Sequence, residues 1–201
     1  EYRQKFSAAG RIPGNFFKRE ARLSDTEILV CRLIDRVFRP IFPDGYMNET
    51  QIFVQLISGN EEILSDAYAA FAASAALIAS EIPYDVPVSE VRVARVDGEF
   101  VVNPTKSVLE NADMNFMIGG TLDNIVMVEG ESDECSEAEL IEAIKVGHEV
   151  IKQQCQMQLD LRVALGIGKD REVEVKEVDE ALKAEVIAAT TDKIYAIANG
   201  A

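Results

Sequence analysis

The chain has 201 residues, 48% of them hydrophobic, and a formal net charge of −15. That size buries the core of one domain or a domain and a half, and no run approaches the roughly 20 apolar residues of a membrane span. Cys31, Cys135 and Cys155 are odd in number and lack C-x-x-C spacing, so neither a disulfide framework nor a zinc site is implied. With Glu1 first and no secretion signal behind it, the chain reads as cytosolic or as an excised piece.

Residues 1–23 hold Ala8-Ala9-Gly10 and Ile12-Pro13-Gly14-Asn15, turn chemistry that predicts a loop. Ser24 and Glu27 form an S-x-x-E capping box opening a helix that Pro40 ends. On that helix Arg32, Arg36 and Arg39 share one face, where either bound anions or acidic neighbours such as Asp35 must hold them together. Residues 1–40 carry nine Lys/Arg against five acids, and the remainder eleven against thirty. Such asymmetry points to a polyanion site in one region of an acidic body, or else to a solvated basic face.

Gln51 to Ile57 predicts a strand ended by Ser58-Gly59-Asn60. Glu61 to Ser80 is an alanine-rich helix expected to pack on both faces. Val91 to Val102 reads as a hairpin turning at Asp97-Gly98, and Asn115 to Ile118 with Ile125 to Glu129 as a second pair. Ser136 and Glu139 repeat the capping box and start a long helix ended by Gly166 and Gly168, with Gly147 placed for a close approach. The lone His148, without a Cys or acidic partner at ligand spacing, reads as structural. After a charged connector over 169–178, Asp179 to Ala198 is a further helix. The order of elements gives an α+β core followed by the beginning of an all-helical segment.

The run from Ala8 to Glu20, A-A-G-R-I-P-G-N-F-F-K-R-E, closely resembles the A-A-G-K-I-P-G-G-F-F-K-R-E stretch of the polynucleotide phosphorylase family. Arg32 to Pro43, R-L-I-D-R-V-F-R-P-I-F-P, is similar to the family's R-L-I-D-R-P-I-R-P-L-F-P. Ala69 to Leu77, Asp97 to Thr105, and Gly120-Thr121 through Met127-Val128-Glu129 continue the resemblance in order, so it covers nearly the whole chain. It implies a ribonuclease-PH-like domain over 1–166, lacking its N-terminal strands and therefore exposing an unpaired sheet edge, with the start of an all-helical linker over 167–201. It also implies a cytoplasmic homotrimer, each subunit carrying two related halves around a channel for single-stranded RNA. The chemistry implied is Mg2+-assisted attack of inorganic phosphate on the RNA 3′ end, which releases nucleoside diphosphates processively and is reversible. An RNA-degrading multiprotein assembly is a further partner of such enzymes.

This chain departs from the catalytic half of that family. Where the catalytic half carries G-R-R-E-x-G-H-G, Phe17 to Leu23 holds no His. Asp113-Met114-Asn115-Phe116-Met117 stands against D-M-D-F-K, so an amide replaces a metal-binding carboxylate and a thioether replaces an ammonium. The resemblance therefore implies a non-catalytic half, with no catalytic residue and no metal ligand here and with Mg2+ bound outside the segment; the remaining Asp113 reads as a turn or cap residue. Phe16 and Phe17 can stack on bases for roughly 1–3 kcal/mol each, with Lys18, Arg19 and Arg22 holding phosphates; composition alone also allows the two rings to plug the core. Val37 and Asn15 replace a Pro and a Gly common in the family. Two other readings stand beside this one: a stand-alone RNA-binding or scaffold module of the same fold without catalysis, and an acidic oligomerisation domain whose basic start is a subunit contact.

Overall fold

Alternating apolar and polar residues between turn signals build the centre of the molecule, and helices with paired caps cover it. The structure is a computed structural model and describes residues 1–12, 14, 20, 22–168, 171–173 and 178–200. Four antiparallel strands, β3 (Ser89–Val96), β4 (Glu99–Val102), β5 (Met114–Gly120) and β6 (Ile125–Ser132), form a sheet of order β4-β3-β5-β6. The β3–β4 hairpin turns at Asp97 and Gly98, with φ of 52° and 82°, the left-handed pair that a two-residue turn needs.

One sheet face presents Val91, Val93, Met114 and Ile118 to Ala143, Ile151 and Cys155 of α4 (Glu137–Leu165). Gly147 is what lets this 29-residue helix lie so close: a Cβ there would stand 2.9 Å from Ile118 Cδ1 and 3.0 Å from Val93 Cγ2. The other face sends Met117 and Met127 into a second cluster with Val30, Leu33 and Val37 of α1 (Asp25–Phe38) and with Ala70, Ala73 and Leu77 of α2 (Asp66–Ile78). The sheet is therefore covered on both faces, a layered α+β arrangement.

Both capping boxes form. Ser24 accepts from the Glu27 amide and Ser136 from the Glu139 amide, while each glutamate bonds back to its serine's amide. Gly166, at φ 65°, caps the end of α4. The last helix, α5 (Glu180–Asn199), starts at Asp179, whose carboxylate accepts from the Leu182 amide at 3.0 Å.

Four expectations are corrected. The first segment is not all loop: β1 (Tyr2–Arg3) and a 3-10 turn over Phe6–Ala9 interrupt it. The strand expected over 51–57 shrinks to β2 (Val54–Gln55), which pairs in parallel with β1 through Val54 N–H to Glu1 O (2.8 Å) and Leu56 N–H to Arg3 O (2.9 Å). The helix expected from Glu61 starts at Asp66, because Asn60 Oδ1 accepts from the amides of Glu62 (3.0 Å) and Ile63 (2.8 Å) and bends the chain there. Nor does α2 pack all round, since Tyr68, Ala72 and Ala76 form an exposed stripe. A four-residue helical turn, α3 (Lys106–Leu109), completes the elements between β4 and β5.

Candidate nucleic-acid interface

The capping box at Ser24 fixes where α1 begins, and its buried Val30, Leu33, Ile34 and Val37 fix which side faces the sheet. Arg32, Arg36 and Arg39 are thereby left exposed. Two of them are held by carboxylates, the acidic-neighbour alternative. Arg39 bonds to both oxygens of Asp35 (Nη2 2.6 Å, Nε 3.1 Å) one turn back, which raises its already high pKa. Arg36 forms an ion pair with Glu129 of β6, clasping α1 to the sheet edge. Arg32 has no carboxylate partner among the described residues and is the one cation of the three left open to an external anion.

Phe16, Phe17, Lys18 and Arg19 lie outside the described residues; the chain on either side of them is tied down. Upstream, the Arg11 amide donates to Phe6 O at 2.9 Å and its guanidinium pairs with Glu61. Downstream, the Glu20 carboxylate accepts from the Phe6 amide at 2.7 Å, and Arg3 Nη1 donates to Glu20 O at 3.3 Å. Arg22 follows, exposed, two residues before the helix cap. Glu27 serves both ends of this arrangement: burial opposes its charge, but amide hydrogen bonds from Ser24 and Gln4 win and hold its carboxyl below the usual carboxylate range.

The position of the expected carboxylate lies on the sheet face beneath α1 and α2. Asn115 Oδ1 accepts from Arg92 Nη1 at 2.6 Å, and Arg92 Nη2 donates to Asp66 at the first turn of α2. Met117 is buried in the α1–α2 cluster. Asp113, expected as a turn or cap residue, is instead an ion-pair partner: Arg95 donates to both its oxygens at 2.9 Å and also reaches Glu139. The hydrogen bonds from Arg95 hold its carboxyl below the usual range. A divalent ion wants several oxygen donors free to turn toward it, whereas here the side-chain oxygens of Asn115 and Asp113 already accept from guanidinium groups. The donor set does not fit Mg2+, and among the described residues no three Asp, Glu, His or Cys side chains converge as a metal site.

Sequence reasoning missed Arg92, Asp66 and Glu90. Glu90 is 1% exposed, and neither carboxylate oxygen has a hydrogen-bond partner. Burial, reinforced by Asp66 and only partly offset by Arg92, pushes its carboxyl up to about 8. The one sequence signal of Glu90 and Arg92 is charge at alternate positions of a strand, which looks like a solvent face, while Asp66 stands at the first turn of α2. His148 donates from Nε2 to Thr121 O at 3.0 Å, consistent with a structural role. All three cysteines are free, and burial pushes the Cys155 thiol up to about 12.

A four-stranded antiparallel sheet with helices on both faces is a layered α+β fold, and its matches to known proteins place it in the ribonuclease-PH-like class. Residues 1–83 match the model of the 3′ exoribonuclease family, domain 1, and residues 86–150 that of domain 2. The chain belongs to the 3′ exoribonuclease family. It is 53% identical to polyribonucleotide nucleotidyltransferase of Amoebophilus asiaticus and 54% identical to that of Bacteroides fragilis, in each case over 98% of this chain and 28% of the relative. The corresponding protein of Porphyromonas gingivalis is 53% identical over 92% of the chain and 25% of its own length. The chain thus spans about 28% of the curated relatives it matches. Among solved structures, the Archaeoglobus fulgidus exosome with RNA bound to the active site shares the fold, with a TM-score of 0.55 at 17% identity over 73% of this chain and 66% of that one. No helix among the described residues is long and apolar enough to cross a membrane.

Proposed function

We propose that this chain is the non-catalytic half of a phosphate-dependent 3′-to-5′ exoribonuclease, a polyribonucleotide nucleotidyltransferase, and that its task is to guide single-stranded RNA and build the ring. The observation that carries this reading is Asn115: the place of a metal-binding carboxylate holds a neutral amide already bonded to Arg92, within a chain 53–54% identical to enzymes of that name. Residues 1–166 form the domain and 167–201 begin the helical linker. Mg2+ and inorganic phosphate then serve the other half, where phosphate attacks the RNA 3′ end and nucleoside diphosphates leave. The working unit is a cytoplasmic homotrimer, with an RNA-degrading multiprotein assembly as its wider partner.

On this reading Phe16 and Phe17 stack on bases of any sequence while Lys18, Arg19 and Arg22 neutralise phosphates, with Arg32 as the next exposed cation along the path. Contacts of this kind bind without specifying, as a strand that must slide after each cleavage requires. Arg36 and Arg39, tied to Glu129 and Asp35, shape the face or meet a neighbouring subunit.

The test is single-stranded RNA affinity of the full-length protein with Phe16, Phe17, Lys18 and Arg19 all replaced by Ala, measured across salt concentrations. The expected result is at least a roughly tenfold loss, with a log-affinity slope against log salt shallower by about 1 to 2, since two phosphate contacts are gone. Unchanged affinity and slope would favour a subunit-contact role for this basic region.

A further inference from the structure

Resting on that reading, we infer that the Arg92 guanidinium is a built-in replacement for the divalent cation of a catalytic half, so that this half stays metal-free even if its lost carboxylate is restored. Two side-chain oxygens from different elements, Asp66 Oδ2 at the start of α2 and Asn115 Oδ1 near the start of β5, converge on that one cation. Such convergence is what a bound metal would require of the fold. The Arg92 and Asp66 side chains keep only 17% and 14% of their exposure, and a guanidinium cannot shed its charge in a protein. Its backbone is pinned as well: Asn103 Oδ1 accepts from the Arg92 amide at 2.9 Å, and the Asn103 amide donates to Arg92 O at 2.7 Å. Beside it lies a cavity of about 210 Å³ lined by Asp66, Tyr68, Arg92 and Asn103, space in which an ion could keep its waters.

Charge decides the outcome of reversion. With Asn115→Asp alone, the new carboxylate meets an arginine already within hydrogen-bond distance, and a charge-assisted pair forms instead of a metal site. Removing the guanidinium at the same time, as Arg92→Met with Asn115→Asp, leaves two carboxylates facing one gap. A hard divalent ion bound by carboxylate and water is the ligand such a gap takes.

Mn2+ bound per chain, counted by electron paramagnetic resonance on the full-length protein, reads this directly, because sites in the other half contribute equally to every variant. Asn115→Asp is expected to bind the same number of Mn2+ ions as the unaltered protein, and the double variant one more. An extra ion in Asn115→Asp alone, or none in a folded double variant, would overturn the inference. If the double variant does not fold, the single one still decides: its melting temperature should rise without Mn2+ and be no more responsive to Mn2+ than the unaltered protein's, and a larger response would overturn the inference. The functional reading fails separately, through absence of phosphate-dependent diphosphate release by the unaltered protein.

Discussion

Replacing Glu90 by Gln is expected to leave stability nearly unchanged in mild acid and to raise it progressively from about pH 5 to about pH 8. The unfolded chain releases the Glu90 proton near 4.5, whereas in the folded protein burial holds it to about 8. Between those values the folded state carries one proton more than the unfolded state. Stability therefore falls as pH rises through that window, by about 1.4 kcal/mol per pH unit at most. Below the window the contribution is fully present, and above it the loss is complete. The total is on the order of a few kcal/mol, a large share of the roughly 5–15 kcal/mol that holds a domain together. Glu27, Asp113, Glu139 and Glu149 act in the opposite sense: their folded pKa values are lowered, so they lose stability as acid is added and do not mask the effect near neutrality. Denaturant midpoints of the two proteins across this range check the prediction. Parallel curves would show that Glu90 finds a partner or reaches water.

Gly130→Ala is expected to be among the most damaging single-methyl additions in the sheet. Gly130 pairs with Phe116, and a Cβ at this position would stand 2.1 Å from the Asn115 carbonyl oxygen and 2.7 Å from Phe116 Cα. Those are backbone atoms of β5, whose other edge is already bonded to β3, so neither strand can yield without giving up pairing. A loss of roughly 3 kcal/mol follows, read as a lower denaturation midpoint. Because Glu129 sits one residue away and clasps Arg36, hydrogen exchange along α1 should quicken in the variant. Gly168→Ala, with nothing within 4 Å of its new methyl, is the control and should change little.

The parts of the fold written in short-range chemistry were legible. Two capping boxes, the Asp97-Gly98 turn and Gly166 each place a boundary through contacts within a few residues. What was not legible depends on partners far along the chain. Strand β1 exists because Val54 and Leu56 donate to Glu1 and Arg3, and two residues are too few to show a period. In Ser89-Glu90-Val91-Arg92-Val93, charge at every second position is the pattern of a strand with one wet face. Helices α1 and α2 cover that face, so Glu90 and Arg92 are interior, and nothing local says so.

The candidate site divides along the same line. Asn115 and Met117 stood out against the catalytic pattern, since a lost carboxylate and a lost ammonium can be read residue by residue. That Arg92 holds Asn115 could not be read, because the pair is 23 residues apart in sequence and meets only through strand register. Arg32, Arg36 and Arg39, the last at the C-cap of α1, are all exposed, but the partners of the two that are paired differ: Asp35 is one helical turn from Arg39 and was in view, while Glu129 lies across the fold from Arg36. The aromatic and basic motif of Phe16 to Arg19 was legible from its residue types and falls outside the described residues.

The division of labour between a guiding half and a chemical half is tested most directly by how the full-length protein shortens RNA when Phe16, Phe17, Lys18 and Arg19 are all alanine. With phosphate and Mg2+ present, poly(A) should be degraded distributively, with ladders of intermediate length accumulating, while turnover of a short oligonucleotide at saturating concentration stays near that of the unaltered protein. Poly(A) consumed without intermediates, or short-oligonucleotide turnover lost along with the rest, would contradict the account.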